Sequence, residues 1–302
     1  MKLSNKHKAI LCIICSAFFF ALMNVFVRLS GDLPSIQKSF FRNFVAFFFA
    51  LIMIIRSGEG FRINRDNLGW FIGRSTFGTL GILCNFYAVD HLLISDASIL
   101  NKLSPFFAII FSFFLLKEKT TKVQAAAVAI AFAGAVLVVK PGFAVSGALL
   151  PSLIGVCGGL CAGMAYTMVR VLGQKGERGP MIVIFFSAFS CIVTLPFLIF
   201  DYHPMSGVQI IMLICAGLAA AGGQFTITAA YTHAPAREVS VYDYTQIIFA
   251  AALGFIFFSQ IPDILSVIGY CIIAGVAIAM FIYNNRRAAD KYILSYRQKD
   301  HK

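Results

Sequence analysis

Residues 20–28 read FALMNVFVR and residues 162–170 read AGMAYTMVR, which places Arg28 and Arg170 at a separation of 142 positions. The same shift sets Asp96 on Glu238, Ser98 on Ser240 and Asn101 on Asp243, within DASILNKLSP at 96–105 against EVSVYDYTQI at 238–247. It also sets Gly81 on Gly223. No single match is distinctive; the constant register from the start of the chain to near its end is. The sequence therefore reads as a duplication, residues 1–142 and 143–285, followed by a basic tail at 286–302.

Composition says what kind of unit was duplicated. The 302 residues are 59% hydrophobic and 13% charged, with a mean hydropathy of +0.84. Soluble domains are about half apolar and about a quarter charged. Apolar runs recur, each about 20 residues long, the length a helix needs to cross ~30 Å of hydrocarbon. They lie at 9–29, 36–55, 69–89, 95–116, 123–139, 149–171, 181–200, 208–231, 239–259 and 263–283. The connections are too short for a soluble domain, and the absence of alternating strands excludes an outer-membrane barrel. Each half thus carries five spans. Two copies of an odd-numbered unit in series must lie upside down relative to each other, the inverted-repeat plan of secondary transporters, whose substrate sits near the midplane between the repeats. The expected fold is an all-α polytopic membrane protein with ten transmembrane helices in two inverted five-helix repeats.

Lysine and arginine placement gives the orientation. With the N-terminus inside, the cytoplasmic segments hold nineteen of the 25 basic residues: Lys2 to Lys8, Arg56 to Arg65, Lys117 to Lys122, Arg170 to Arg178, Arg237 and the tail from Arg286. Arg28, Lys38 and Lys140 are left outside. Both termini then face the cytoplasm. The first apolar run is too long for a signal peptide and no A-x-A site follows it, so it is read as a retained helix. The net charge of +12 is explained by this topology signal and by anionic lipid headgroups, without nucleic acid. The eight cysteines fall within helices, where Cys12 and Cys15 read as small packing residues despite their C-x-x-C spacing. The five histidines lie at or beyond helix ends, and neither a metal constellation nor a cofactor motif is present.

Several local stretches carry a family resemblance. Phe40-Phe41-Arg42 opens the second span; Tyr87, Asp96-Ala97-Ser98 and Pro105 follow, then Leu115-Leu116-Lys117-Glu118-Lys119 and Gly134. The second half echoes them in Tyr242 to Gln246, Gly269 and Gly275. On these residues the chain resembles the drug/metabolite transporter superfamily, in its EamA-type family of ten-helix carriers, over about residues 8–284. Two positions depart from the family: Phe20-Ala21 replaces a Trp-Gly pair, and Gln260 replaces an acid after the ninth helix. The resemblance implies a carrier of small metabolites in the bacterial cytoplasmic membrane, with helices 1, 3, 4, 6, 8 and 9 around a central cavity. Its members move amino acids, nucleotide sugars, S-adenosylmethionine and other solutes.

Ionisable groups inside a bilayer cost ~2.5–3.5 kcal/mol on insertion scales, so they should face a partner or a wet cavity. Arg42, Arg74, Lys102 and Asp243 are the candidates. For straight helices rising 1.5 Å per residue, Lys102 lies roughly 8 Å to the outer side of its helix centre and Asp243 roughly 9 Å to the inner side of its own. That separation of ~15 Å forbids a direct pair unless the helices tilt or break. Arg74 shares the depth of Asp243, so the two form either a structural pair or part of a substrate or proton path. Asn24, Asn85 and Asn101 fall in an outer polar layer near Lys102. Tyr166, Gln224, Thr228, Tyr242 and Tyr244 fall in an inner layer near Asp243, and Gln246 shares a face with Tyr242 at i, i+4. Arg42, on the outer side, reads as structural, and Lys102, with no acid at its depth in its own helix, as a cavity cation. Pro105 should kink the fourth helix beside Lys102. Gly78, Gly81, Gly222 and Gly223 let helices approach closely.

Three cations against one acid favour an anionic or zwitterionic solute, such as an amino acid or its derivative, with protons or exchange as the driving process. An S-adenosylmethionine or nucleotide-type carrier is the alternative. No GxxxxGK[ST] loop supports ATP drive. The 13 acids are too dispersed for a membrane-embedded enzyme acting on lipid or polyprenol substrates, and the duplication argues against an open channel. Oligomeric state is not encoded in any motif.

Overall fold

The computed structural model describes residues 5–58, 60–115, 121–139, 148–233 and 240–299. Helices follow the apolar runs in order: α1 (Asn5–Leu29), α2 (Ser35–Ser57), α3 (Leu68–His91), α4 (Ile94–Asn101), α5 (Ser104–Leu115), α6 (Lys122–Val139), α7 (Leu149–Gln174), α8 (Gly179–Phe200), α9 (Gly207–His233), α10 (Thr245–Phe258) and α11 (Ile264–Lys299). Among the described residues seven helical segments are long and apolar enough to cross a membrane, α4 and α5 counting as one, and α6 and the segment Tyr242–Phe258 are shorter apolar helices. The 24 residues of α3 are long enough to span but carry more polar side chains. Among the described residues there is no strand, and the chain is a polytopic helical membrane protein.

Two expected helices are broken. The fourth span, read as 95–116, is α4 and α5 joined at Lys102-Leu103. Pro105 has no N–H to donate back to Asn101, so the backbone ladder cannot run through. The turn is closed instead by the Lys102 N–H on the Ser98 carbonyl at 3.1 Å and the Leu103 N–H on the Leu100 carbonyl at 3.2 Å. The ninth span, read as 239–259, opens as a 3-10 helix over Ser240–Tyr244 before α10 begins. The tenth span continues into the tail as one helix, Ile264–Lys299.

Packing repeats across the 142-residue shift. α1 packs along α9, and α7, the counterpart of α1, packs along α3, the counterpart of α9. α1 also packs on α10, as α7 does on α4 and α5. Counterparts α2 and α8 meet each other, as do α6 and α11. Small residues permit these crossings: a Cβ on Gly269 would stand 2.8 Å from the Gly134 carbonyl oxygen. In the first half of α7, Gly155, Gly159 and Gly163 line up one turn apart and hold the α4–α5 break. A Cβ on Gly159 would meet the Leu100 carbonyl oxygen at 2.6 Å, and one on Gly163 would meet the Ser104 carbonyl oxygen at 2.7 Å. The corresponding positions on α1, Ala17 and Ala21, are fully buried.

Polar clasps bind the ends that hold the α1–α2, α3–α4, α8–α9 and α10–α11 connections. Lys38, fully buried, is bonded by its Nζ to both Asp90 carboxylate oxygens at 2.7 and 2.8 Å. Asp90 is in the last turn of α3. Arg28 donates to the Val89 carbonyl at 3.2 Å and lies 5.2 Å from the Phe258 ring centroid. Gln37 and the His203 backbone exchange two hydrogen bonds. Gln260, in place of the family's acid, accepts from the Ile94 N–H at 3.0 Å and so caps α4.

Lys2, Lys117, Glu118, Lys119, Lys140, Arg237 and Glu238 lie outside the described residues, as do the side chains of Arg170, Thr228 and the tail beyond Arg286.

Candidate functional site

The break in the fourth span and the 3-10 start of the ninth meet. Lys102 is the last residue whose N–H is bonded into the α4 ladder, and the 3-10 segment presents Asp243 to it. Lys102 Nζ and Asp243 Oδ2 form an ion pair, with side chains 11% and 19% exposed. Tyr244 Oη donates to the Lys102 carbonyl at 3.1 Å. Tyr244 stands 142 positions after Lys102, so the two repeats touch here at equivalent positions. The expected ~15 Å depth gap, computed for unbroken helices, is overturned. A 3-10 segment rises more steeply than an α-helix, and a kinked helix changes direction, so straight-helix depths fail where both occur.

Arg74 is therefore not the partner of Asp243. Its guanidinium lies over the Phe186 ring of α8, 3.8 Å from the centroid, a cation–π contact. Arg42 donates from Nη1 to Asn43 Oδ1 at 2.7 Å, and Asn43 in turn donates to Ser190 Oγ on α8 at 2.8 Å. Tyr166 of α7 is 55% exposed. The two arginines, read on opposite sides of the midplane, thus both reach α8, one at Ser190 through Asn43 and the other at Phe186.

A third group joins α1, α3 and α4. Asn85 Nδ2 donates to Asn24 Oδ1, and Asn24 Nδ2 donates to Ser98 Oγ, both at 3.4 Å. Asn101 closes α4 beside Lys102. Tyr242 packs on the Ala9, Ile13 and Ala230 cluster away from the ion pair, Gln246 is buried at the start of α10, and Gln224 is half-buried on α9. The candidates thus sort into an α4/α10 joint, an arginine group on α2, α3 and α8, and an amide chain at α1.

Sequence reasoning missed Phe186, Asn43, Ser98 as a hydrogen-bond partner, and the Gly155–Gly159–Gly163 seam. The seam had a readable signal, glycine at every fourth position facing a proline-broken helix. It also missed Tyr270, whose hydroxyl lies 2.6 Å from Asp96 Oδ1 and 2.9 Å from Ser95 Oγ.

Known proteins agree with this architecture. The sequence profile of the EamA-like transporter family matches twice, over residues 7–140 and 151–282. The pseudopaline exporter CntI of Pseudomonas aeruginosa (strain UCBPP-PA14) is 30% identical over 282 residues, which span 93% of this chain and 98% of that protein. Human solute carrier family 35 member G1 is 25% identical over 274 residues, 86% of this chain and 75% of that protein. One crystal structure superposes with a TM-score of 0.65 at 16% identity, covering 92% of this chain and 97% of that one, a likeness of fold.

Proposed function

Because the chain belongs to the EamA-like transporter family and is a multi-pass membrane transporter, we propose that it is a secondary carrier of a small anionic or zwitterionic metabolite, working by alternating access between two inverted repeats. The Lys102–Asp243 joint carries this reading. It sits where both repeats lose helical regularity, and irregular backbone at membrane depth is a mark of transport sites. An ion pair between the repeats is also a two-state element. Protonation of Asp243 would leave the lysine without its partner and release α4 from α10, whereas deprotonation would restore the clasp. A proton, or the charge of a solute, can thereby bias one conformation over the other.

The chain packs with the exchange of partners that a two-fold relation between the repeats produces, as in α1 on α9 and α7 on α3. Two halves that can trade conformations have near-equal energies on either side of the membrane. By likeness to the pseudopaline exporter, the proposed direction is outward. The proposed setting is a bacterial cytoplasmic membrane with both termini inside and basic ends against anionic lipid.

The test uses proteoliposomes loaded with candidate amino acids and organic acids and subjected to an imposed pH gradient. The wild type should show solute counterflow that responds to the gradient. Asp243→Asn should keep the protein inserted but abolish the response to the gradient. Gradient-dependent transport at the wild-type rate by Asp243→Asn would refute the coupling role, and solute flux without counterflow would refute the carrier.

A further inference from the structure

Lys102 consumes the one carboxylate that the sequence offered to three membrane cations, and this leaves Arg42 and Arg74. We infer that Arg42 and Arg74 form an oxyanion site that takes the carboxylate or phosphate group of the transported solute.

Arg42 is 8% exposed, and its Nε has no partner. Nε and Nη1 of Arg74 are closed off from the surface and equally unpaired. Among the described residues Lys38 pairs with Asp90 and Lys102 with Asp243, and neither arginine is paired with a carboxylate. Within a bilayer, unpaired guanidinium donors are costly, because no water stands in for the missing acceptor. A planar fork with free donors is also the geometry that receives a carboxylate or phosphate in two parallel bonds.

The backbone is shaped for this placement. A Cβ on Gly78 would stand 2.5 Å from Arg74 Nη1. The arginine therefore lies along its own helix, and its head reaches the level of Gly78, near the middle of the 24-residue α3. Arg42 starts from the other end, in the second turn of α2, and its Asn43 neighbour is bonded to Ser190, midway along α8. Two guanidiniums from opposite ends of the bundle thus converge on its central level, where a carrier holds its solute. The scaffold itself does not need the charges: the positions related by the repeat are Ile184 and Ala216, buried at 7% and 0%. One half of the molecule has the cations and the other packs without them, as expected of a binding group added to a symmetric frame.

This inference rests on the carrier reading for its solute, but its assay reads equilibrium binding, so a protein that binds the anion and does not move it fails the carrier reading alone. Purified protein in detergent is titrated with sodium succinate and with sodium phosphate against sodium chloride at matched ionic strength, and binding is read from saturable thermal stabilisation and calorimetry. The wild type should bind at least one of the two oxyanions, and Arg74→Gln and Arg42→Gln should weaken that binding at least tenfold. Arg74→Lys, which keeps the charge but loses the fork, should fall between; it also serves if a glutamine variant fails to fold. Lys175→Gln, which removes an exposed cation at the end of α7, should bind as the wild type does. No saturable response beyond chloride, or undiminished affinity in Arg74→Lys together with a folded Arg74→Gln or Arg42→Gln, would overturn the site. Succinate binding without phosphate binding would assign it to carboxylates, and the reverse to phosphates.

Discussion

A double-mutant cycle on Lys102 and Asp243 tests the joint between the repeats. Two unit charges about 4 Å apart attract by roughly 4 kcal/mol at an effective dielectric near 20. The side chains keep 11% and 19% of their exposure, and Asp243 Oδ1 is buried and unbonded, so the contact is partly open and made through one oxygen. Both features reduce the attraction, and a coupling energy of about 2 kcal/mol is the expected outcome. Single changes cost more than the pair is worth, since removing one member of a buried pair strands the other; about 3 kcal/mol is expected for Lys102→Gln or Asp243→Asn. The double variant should therefore be less destabilised than the sum of the singles. The exchange Lys102→Asp with Asp243→Lys should recover part of the loss. Reversible unfolding in mixed detergent micelles supplies the four free energies. Arg74→Gln combined with Asp243→Asn should be additive within about 0.5 kcal/mol, because no contact joins them. Coupling below that level for Lys102–Asp243, or a larger coupling of Asp243 to Arg74, would refute the joint and restore the pairing that straight helices imply.

Lys38 and Asp90 make the same kind of test at the membrane edge. With Lys38 fully buried, Asp90→Asn should cost about 3–5 kcal/mol, whereas Lys38→Met with Asp90→Leu should be far milder; micelle unfolding checks both. Gly163→Ala forces a Cβ to within 2.6 Å of the Phe107 Cβ and 2.7 Å of the Ser104 carbonyl. It should cost about 1–3 kcal/mol by overpacking and slow counterflow by hindering the α4–α5 break, while Gly173→Ala, with open space around it, should change neither.

The helices, the duplication and the pairing of the halves were legible because they rest on periodic and repeated features. Twenty-residue apolar runs survive any detail of packing, and a fixed shift cannot be produced by chance burial. The partner of Lys102 was not legible, and the reason is specific. Depth along a helix was counted at a uniform rise, and the count fails at Pro105 and at the 3-10 start of α10, the two places where the chain stops being uniform. One clue was present: Tyr244 is the repeat counterpart of Lys102, and Asp243 that of Asn101. In an object with two-fold internal symmetry, residues that lie on the axis meet their own counterparts whatever depth a ruler assigns them. A polar residue whose counterpart is also polar, beside a helix breaker in one copy, is the pattern of an axial site, and it would have placed Lys102 against Asp243. The arginine group has the opposite signature. Arg42 and Arg74 have apolar counterparts, Ile184 and Ala216, so symmetry does not locate them and single-helix depth puts them on opposite sides of the midplane. Their convergence depends on side-chain direction, one arginine lying over Gly78 and the other held by Asn43. Symmetry thus makes the joint readable from sequence, and the breaking of symmetry marks where chemistry was added to one half.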